Sequence, residues 1–198
     1  MDTEHYTYDD LANEINLNTG GFSAGVTTYT NADDASYQAK FEVRIKALYD
    51  QIPQAEKLLE EILFTTRFED TGRLKEILAE VRSRLQMSLS SAGNSVSAVR
   101  AMSAFSETAK YSDLTSGIGF YQTVAAYEEQ FEEKKEQLVA ELKDLATRIF
   151  TVSGLTYTIT CDKEGKALAE NSIRKLTEKL PAGQAPTQEE PVSCTSGN

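Results

Sequence analysis

Tyr37-Gln38-Ala39-Lys40-Phe41-Glu42-Val43-Arg44-Ile45 sets an apolar side chain at every second position and a charged or amide one between them. Successive side chains of a strand leave on opposite faces, so this period of two predicts a strand with one buried and one wetted face. Upstream, Phe22 to Thr30 is rich in β-branched and aromatic residues, and Asn31-Ala32-Asp33-Asp34 between the two runs supplies turn chemistry. The pair predicts an antiparallel hairpin. Further along, Leu155, Tyr157, Ile159 and Cys161 alternate with Thr156, Thr158 and Thr160, which predicts a third strand.

Helical spacing fills most of the rest. Thr7 can cap a first helix, with Asp10 three residues on and Leu11, Ile15 and Leu17 as its apolar side, ending at Gly20-Gly21. A second helix starts near Pro53 and buries Ala55, Leu58, Leu59, Ile62 and Leu63. Asp70-Thr71-Gly72 breaks the chain, after which Leu74, Ile77, Leu78, Val81 and Leu85 repeat the same stripe. Residues 88 to 120 are dominated by Ser, Ala and Gly, and a helix is expected from about Val96 to Thr108. From Tyr121 to Phe150 one long charged helix is predicted, with Val124, Tyr127, Phe131, Leu138, Leu142, Leu145 and Ile149 along one side and Ser153-Gly154 as its stop. A short helix through Leu168, Ile173, Leu176 and Leu180 follows. The Pro-, Gly- and Ser-rich run from Pro181 to Asn198 reads as a flexible linker.

These 198 residues suffice for one domain, and 40% hydrophobic with 26% charged residues is an ordinary globular balance. A formal net charge of -11 opposes the phosphate neutralisation that nucleic-acid binding requires, so neither nucleic acid nor an anionic membrane surface is expected as a partner. No apolar run approaches a membrane span, and no basic segment followed by an apolar one marks the start for export. Cys161 and Cys194 stand far apart, so no disulfide framework is expected; a reducing cytoplasm or organelle interior fits.

Chemistry is limited by inventory. His5 is the only histidine, and a helix-borne zinc site needs two imidazoles one turn apart. Glu4-His5 has the look of the second half of His-x-x-Glu-His, but Met1 stands where the first histidine would be. Gly21-Phe22-Ser23-Ala24-Gly25 matches the text of a nucleophile elbow in the wrong context, since it follows a predicted helix and opens a strand, with His5 ahead of it. Gly117-Ile118-Gly119 lacks a third glycine and a preceding strand, so it reads as glycines at a helix junction. Glu128, Glu129, Glu132, Glu133, Glu136 and Glu141 are interleaved with Lys134, Lys135 and Lys143, the pattern of a solvated helix face with pairs three and four apart. Gly20-Gly21 fits a turn between helix and strand. No catalytic, cofactor-binding or metal residue is assigned to the chain.

The stretch from Tyr8 through Ser23, clearest at Thr19-Gly20-Gly21-Phe22-Ser23, resembles the pitrilysin/insulinase superfamily of zinc metallopeptidases. Arg67-Phe-Glu-Asp-Thr-Gly-Arg-Leu-Lys-Glu-Ile-Leu-Ala-Glu-Val-Arg-Ser-Arg-Leu85 and Arg100-Ala-Met-Ser-Ala-Phe-Ser106 resemble its presequence-protease branch, in the third of four homologous domains. The similarity runs from about Tyr8 to Asp162. It implies a partial pitrilysin-like or mitochondrial-processing-peptidase-like domain at 1–162, then a short helix and linker at 163–198 leading toward a last domain. It also implies a parent zinc endopeptidase whose N-terminal half holds the metal and whose C-terminal half closes a chamber over short unstructured peptides. On that reading the partners are the catalytic half and the peptide substrate, and the zinc belongs to the parent enzyme and not to these residues. The family's domain would have a strand and a helix ahead of Met1, so an exposed sheet edge is expected to recruit another chain, as in a homodimer.

The expectation is therefore an α+β domain, a small antiparallel sheet with helices packed on one face, doing no chemistry of its own. The alternative is a stand-alone helical interaction module using Phe131, Leu138, Leu142, Leu145 and Ile149 as a seam, although that stripe lapses between Phe131 and Leu138.

Overall fold

A computed structural model describes residues 1–33 and 36–183, and the expected linker lies almost wholly outside them. The chain is mostly helical with one two-stranded antiparallel sheet, an α+β fold. In order it runs α1 (Tyr8–Asn18), β1 (Gly21–Thr30), β2 (Tyr37–Lys46), a 3-10 turn (Tyr49–Gln51), α2 (Ile52–Thr65), α3 (Thr71–Ser91), α4 (Gly93–Met102), α5 (Glu107–Ser116), α6 (Ile118–Glu129), α7 (Phe131–Ile149) and α8 (Lys163–Lys179).

Local signals account for the first half. The Thr7 hydroxyl accepts the Asp10 amide at 3.2 Å and donates to the Asp10 carboxylate at 2.7 Å, so one residue caps α1 in both directions. Gly21 has φ +150°, a backbone region that L side chains rarely adopt, and the Gly20 amide donates to the Lys46 carbonyl at 2.6 Å. The Gly-Gly pair thus both turns the chain and ties the start of β1 to the end of β2. At the other end of the hairpin the Asn31 amide donates to the Ser36 carbonyl at 2.9 Å, and the Asn31 side chain accepts from the Asp33 amide at 3.2 Å.

The molecule divides into two compact units. The first comprises Met1–Gly25, Phe41–Asp70 and the chain from Val139 onward, and its buried apolar residues are Leu11, Ala55 and Leu58. Within it α2 packs on both α1 and α8. Polar links reinforce the second contact: Ser172 donates to Glu56 at 2.6 Å and Lys179 pairs with Glu60 at 2.6 Å. The second unit comprises Val26–Lys40 and Thr71–Leu138, with Leu74, Val124 and Phe131 buried. There α6 packs against α3 and α5, and α4 against α5.

Three expectations change. Residues 155–161 are extended but join no sheet; the alternation gives strand character, while pairing needs a neighbour that these residues do not supply. The region 88–120 holds helices at 93–102 and 107–116 rather than one at 96–108, because Ser106 caps a new start by accepting the Ala109 amide at 3.3 Å. The long helix from 121 to 150 is broken at Gln130 into α6 and α7. No Gly or Pro marks that break. On either side of it Glu128 and Glu129 meet Arg82 of α3, and Glu132 meets Lys75 of α3.

Candidate functional site

The sole histidine sits in a strap, residues 2–8, fastened across the end of α2. The Arg67 amide donates to the Asp2 carbonyl at 2.9 Å, the Glu4 amide to the Thr65 hydroxyl at 3.3 Å, and the His5 amide to Glu61 Oε1 at 2.8 Å. His5 Nδ1 lies 3.1 Å from Glu61 Oε2, with the imidazole 67% exposed and the Glu61 side chain 11% exposed. Burial pushes the Glu61 carboxyl up. The His5 amide, the Thr3 and Thr65 hydroxyls and the His5 ring together outweigh that and hold it down at about 2. This geometry makes Glu61 a permanent acceptor that fastens the strap. It gives His5 no nucleophile to activate, and no third donor to share a metal with.

Ser23 lies in β1, in extended backbone following α1, so it is not on the strand-to-helix turn that exposes an elbow nucleophile. The structure does not bring His5 and Ser23 into a hydrogen-bonded pair. Among the described residues no group of three or more His, Cys, Asp or Glu side chains could hold a metal ion. A zinc ion therefore does not fit the residues of this chain.

The glycines of Gly117-Ile118-Gly119 answer to a group that sequence reading passed over. Asp113 of α5 is wholly buried, and its Oδ2 pairs with Arg100 Nη1 at 2.5 Å. A Cβ on Gly117 would come within 2.9 Å of the Asp113 Cα, and one on Gly119 within 2.9 Å of Asp113 Oδ2. Side chains at either position would collide with the buried carboxylate, so the α5–α6 junction must be bare. The Asp113 Oδ1 atom has no hydrogen-bond partner among the described residues. Above this pair lies an open groove of about 550 Å³ edged by Arg100, Lys110, Leu114, Tyr127 and Lys134. The only hint in the sequence was the spacing, an Asp one turn before the first glycine.

The acidic run is used for packing. Arg82 of α3 reaches Glu128 at 2.8 Å and Glu129 at 3.0 Å, and Lys75 reaches Glu132 at 2.8 Å. Because Lys75 precedes Arg82 while Glu132 follows Glu128, α3 runs opposite to the α6–α7 segment. The expected near-neighbour pairing is present once, between Lys135 and Glu132 at 3.1 Å, and Lys134 lies over the Tyr127 ring at 5.5 Å. Lys143 pairs with Glu69. These carboxylates join helices and form no acid-base or cation-binding set.

Comparison with known proteins gives a consistent picture. Residues 1–127 match the family model for the region associated with peptidases of class M, subfamily 16C. The chain is 27% identical over 178 residues to "Protein HypA" of Clostridium perfringens, covering 89% of this chain and 18% of that protein. It is 26% identical over 190 residues to "Presequence protease, mitochondrial" of Yarrowia lipolytica, covering 94% and 19%. The protein of the same description in Drosophila melanogaster is 22% identical over 182 residues, covering 91% and 17%. The chain thus spans less than a fifth of the length of these relatives.

Proposed function

This chain belongs to the peptidase-associated family of class M, subfamily 16C, and from that membership we propose that it acts as a non-catalytic domain of a zinc metalloendopeptidase that degrades short unstructured peptides. Its work is to form part of a chamber wall and to lean on a catalytic half carried by the same polypeptide. The zinc and the residues that activate water belong to that other half, in the cytoplasm or an organelle interior. The observation that carries this reading is the family match over residues 1–127, together with two relatives named as presequence proteases. The arrangement of His5 is in keeping with it, because a single imidazole committed to Glu61 supplies neither a metal site nor a general base for a nucleophile.

The test separates the wall from the chemistry. The purified chain, given excess zinc and an unstructured peptide, is expected to leave the peptide intact by mass spectrometry. The longer polypeptide containing it is expected to cleave the same peptide and to lose that activity to a chelator. Cleavage by the isolated chain that survives stringent purification overturns the proposal.

A further inference from the structure

Residues 155–161 have the composition of a strand and no strand beside them. Leu155, Tyr157, Ile159 and Cys161 alternate with three threonines, with no charge, glycine or proline among them. The Leu155 amide closes a turn onto the Val152 carbonyl at 3.1 Å, and Asp162 caps α8. Between those two anchors no backbone group from Thr156 to Cys161 bonds another described residue. Leu155 is 40% exposed and Tyr157 58% exposed, so the apolar face is open along with the hydrogen-bonding edge. Just ahead in the chain, Leu145 and Ile149 of α7 are 47% and 43% exposed. An extended, uncharged, β-prone run with free amides and carbonyls is a template for another strand.

The relatives indicate where that strand comes from. Their alignments leave out at most about a tenth of this chain, less than the 37 residues that follow Cys161, so Leu155–Cys161 lies inside each match. Those same proteins extend beyond the match by more than four fifths of their length. A second copy is the weaker occupant, because it would bring a net charge of -11 against -11. A strand in the same polypeptide has no diffusional encounter to make and a high effective concentration.

We infer that Leu155–Cys161 is the docking edge for an extended strand supplied by a part of the longer polypeptide outside these 198 residues. Backbone hydrogen bonds hold it, and its alternate apolar side chains lie against Leu155, Tyr157 and Ile159. This rests on the reading above only in requiring that the chain works within a longer polypeptide.

Amide hydrogen exchange of the isolated chain and of the longer polypeptide, each with and without Thr158→Pro, tests it. Alternate amides from Thr156 to Cys161 are expected to exchange freely in the isolated chain and about a hundredfold more slowly in the longer polypeptide. Thr158→Pro removes a donor and blocks pairing; it is expected to lower the Tm of the longer polypeptide by a few degrees and to leave that of the isolated chain unchanged. A longer polypeptide that cleaves peptides while these amides exchange freely and Thr158→Pro is silent overturns the inference and leaves the proposed function standing. Protection that rises with the concentration of the isolated chain, and no further in the longer polypeptide, assigns the edge to a second copy and also overturns it. A longer polypeptide in which the segment is protected but no peptide is cleaved overturns the proposed function alone.

Discussion

At the scale of single residues, two carboxylates do most of the ordering. Asp113 dictates that positions 117 and 119 be glycine, since it occupies the space a Cβ would need at both. Glu61 gathers the strap that carries the only histidine. Its carboxyl lies at about 2 in the fold against an ordinary value of 4.5, so the folded state takes up its proton less readily than the unfolded one. The resulting stability is fully present above about pH 4.5 and is lost as the pH falls toward 2. The difference corresponds to at most about 3 kcal/mol, and to about half of that once solvent around the exposed imidazole screens the pair. Glu61→Gln is expected to lower stability by that amount at pH 6 and to flatten the acid limb, so that the two proteins converge near pH 2. Urea titrations at steps from pH 2 to 6 measure this, and parallel curves would show that the strap is held by something else.

At the scale of elements, the caps were legible because they are local. Thr7 and Asp10 stand three apart in the sequence, and the hydrogen bonds between them need only the backbone of one turn. Thr7→Ala is expected to cost about 1 kcal/mol and to speed amide exchange in the first turn of α1, read by urea unfolding and by exchange. The break at Gln130 was not legible. Its neighbours are good helix formers, and the chain turns there because Arg82 and Lys75 of α3 draw on carboxylates from both sides of it. The segment 155–161 failed in the opposite way: its local preference was read correctly as extended, yet preference does not create a neighbour.

At the scale of the whole molecule, each unit rests on a small core. Leu11, Ala55 and Leu58 are the buried apolar residues of the first, and Leu74, Val124 and Phe131 those of the second, while Leu17, Leu48, Met87 and Phe105 are each more than 60% exposed. Leu58, at 0% exposure, is the best-buried apolar side chain among the described residues. Leu58→Ala is expected to cost about 2–5 kcal/mol, a large part of the roughly 5–15 kcal/mol that ordinary domains possess. Circular dichroism during thermal unfolding should show the isolated variant largely unfolded at temperatures where the parent chain is folded. A shift of only a degree or two would mean that α2 is not the centre of its unit.

Sequence by itself determined what depends on near neighbours and on inventory. The hairpin followed from a period of two, the turn from Gly20-Gly21 and the first helix from Thr7, and a lone histidine ruled out a helix-borne zinc site within the chain. The motif residues gave the family resemblance. Tertiary structure alone decided that Asp113 is buried against Arg100, that the acidic run reaches across to α3, and that residues 155–161 remain single. The physical reason is range: caps, turns and alternation are settled within a few residues of backbone, whereas burial, ion pairing between helices and strand pairing depend on which distant segments arrive alongside.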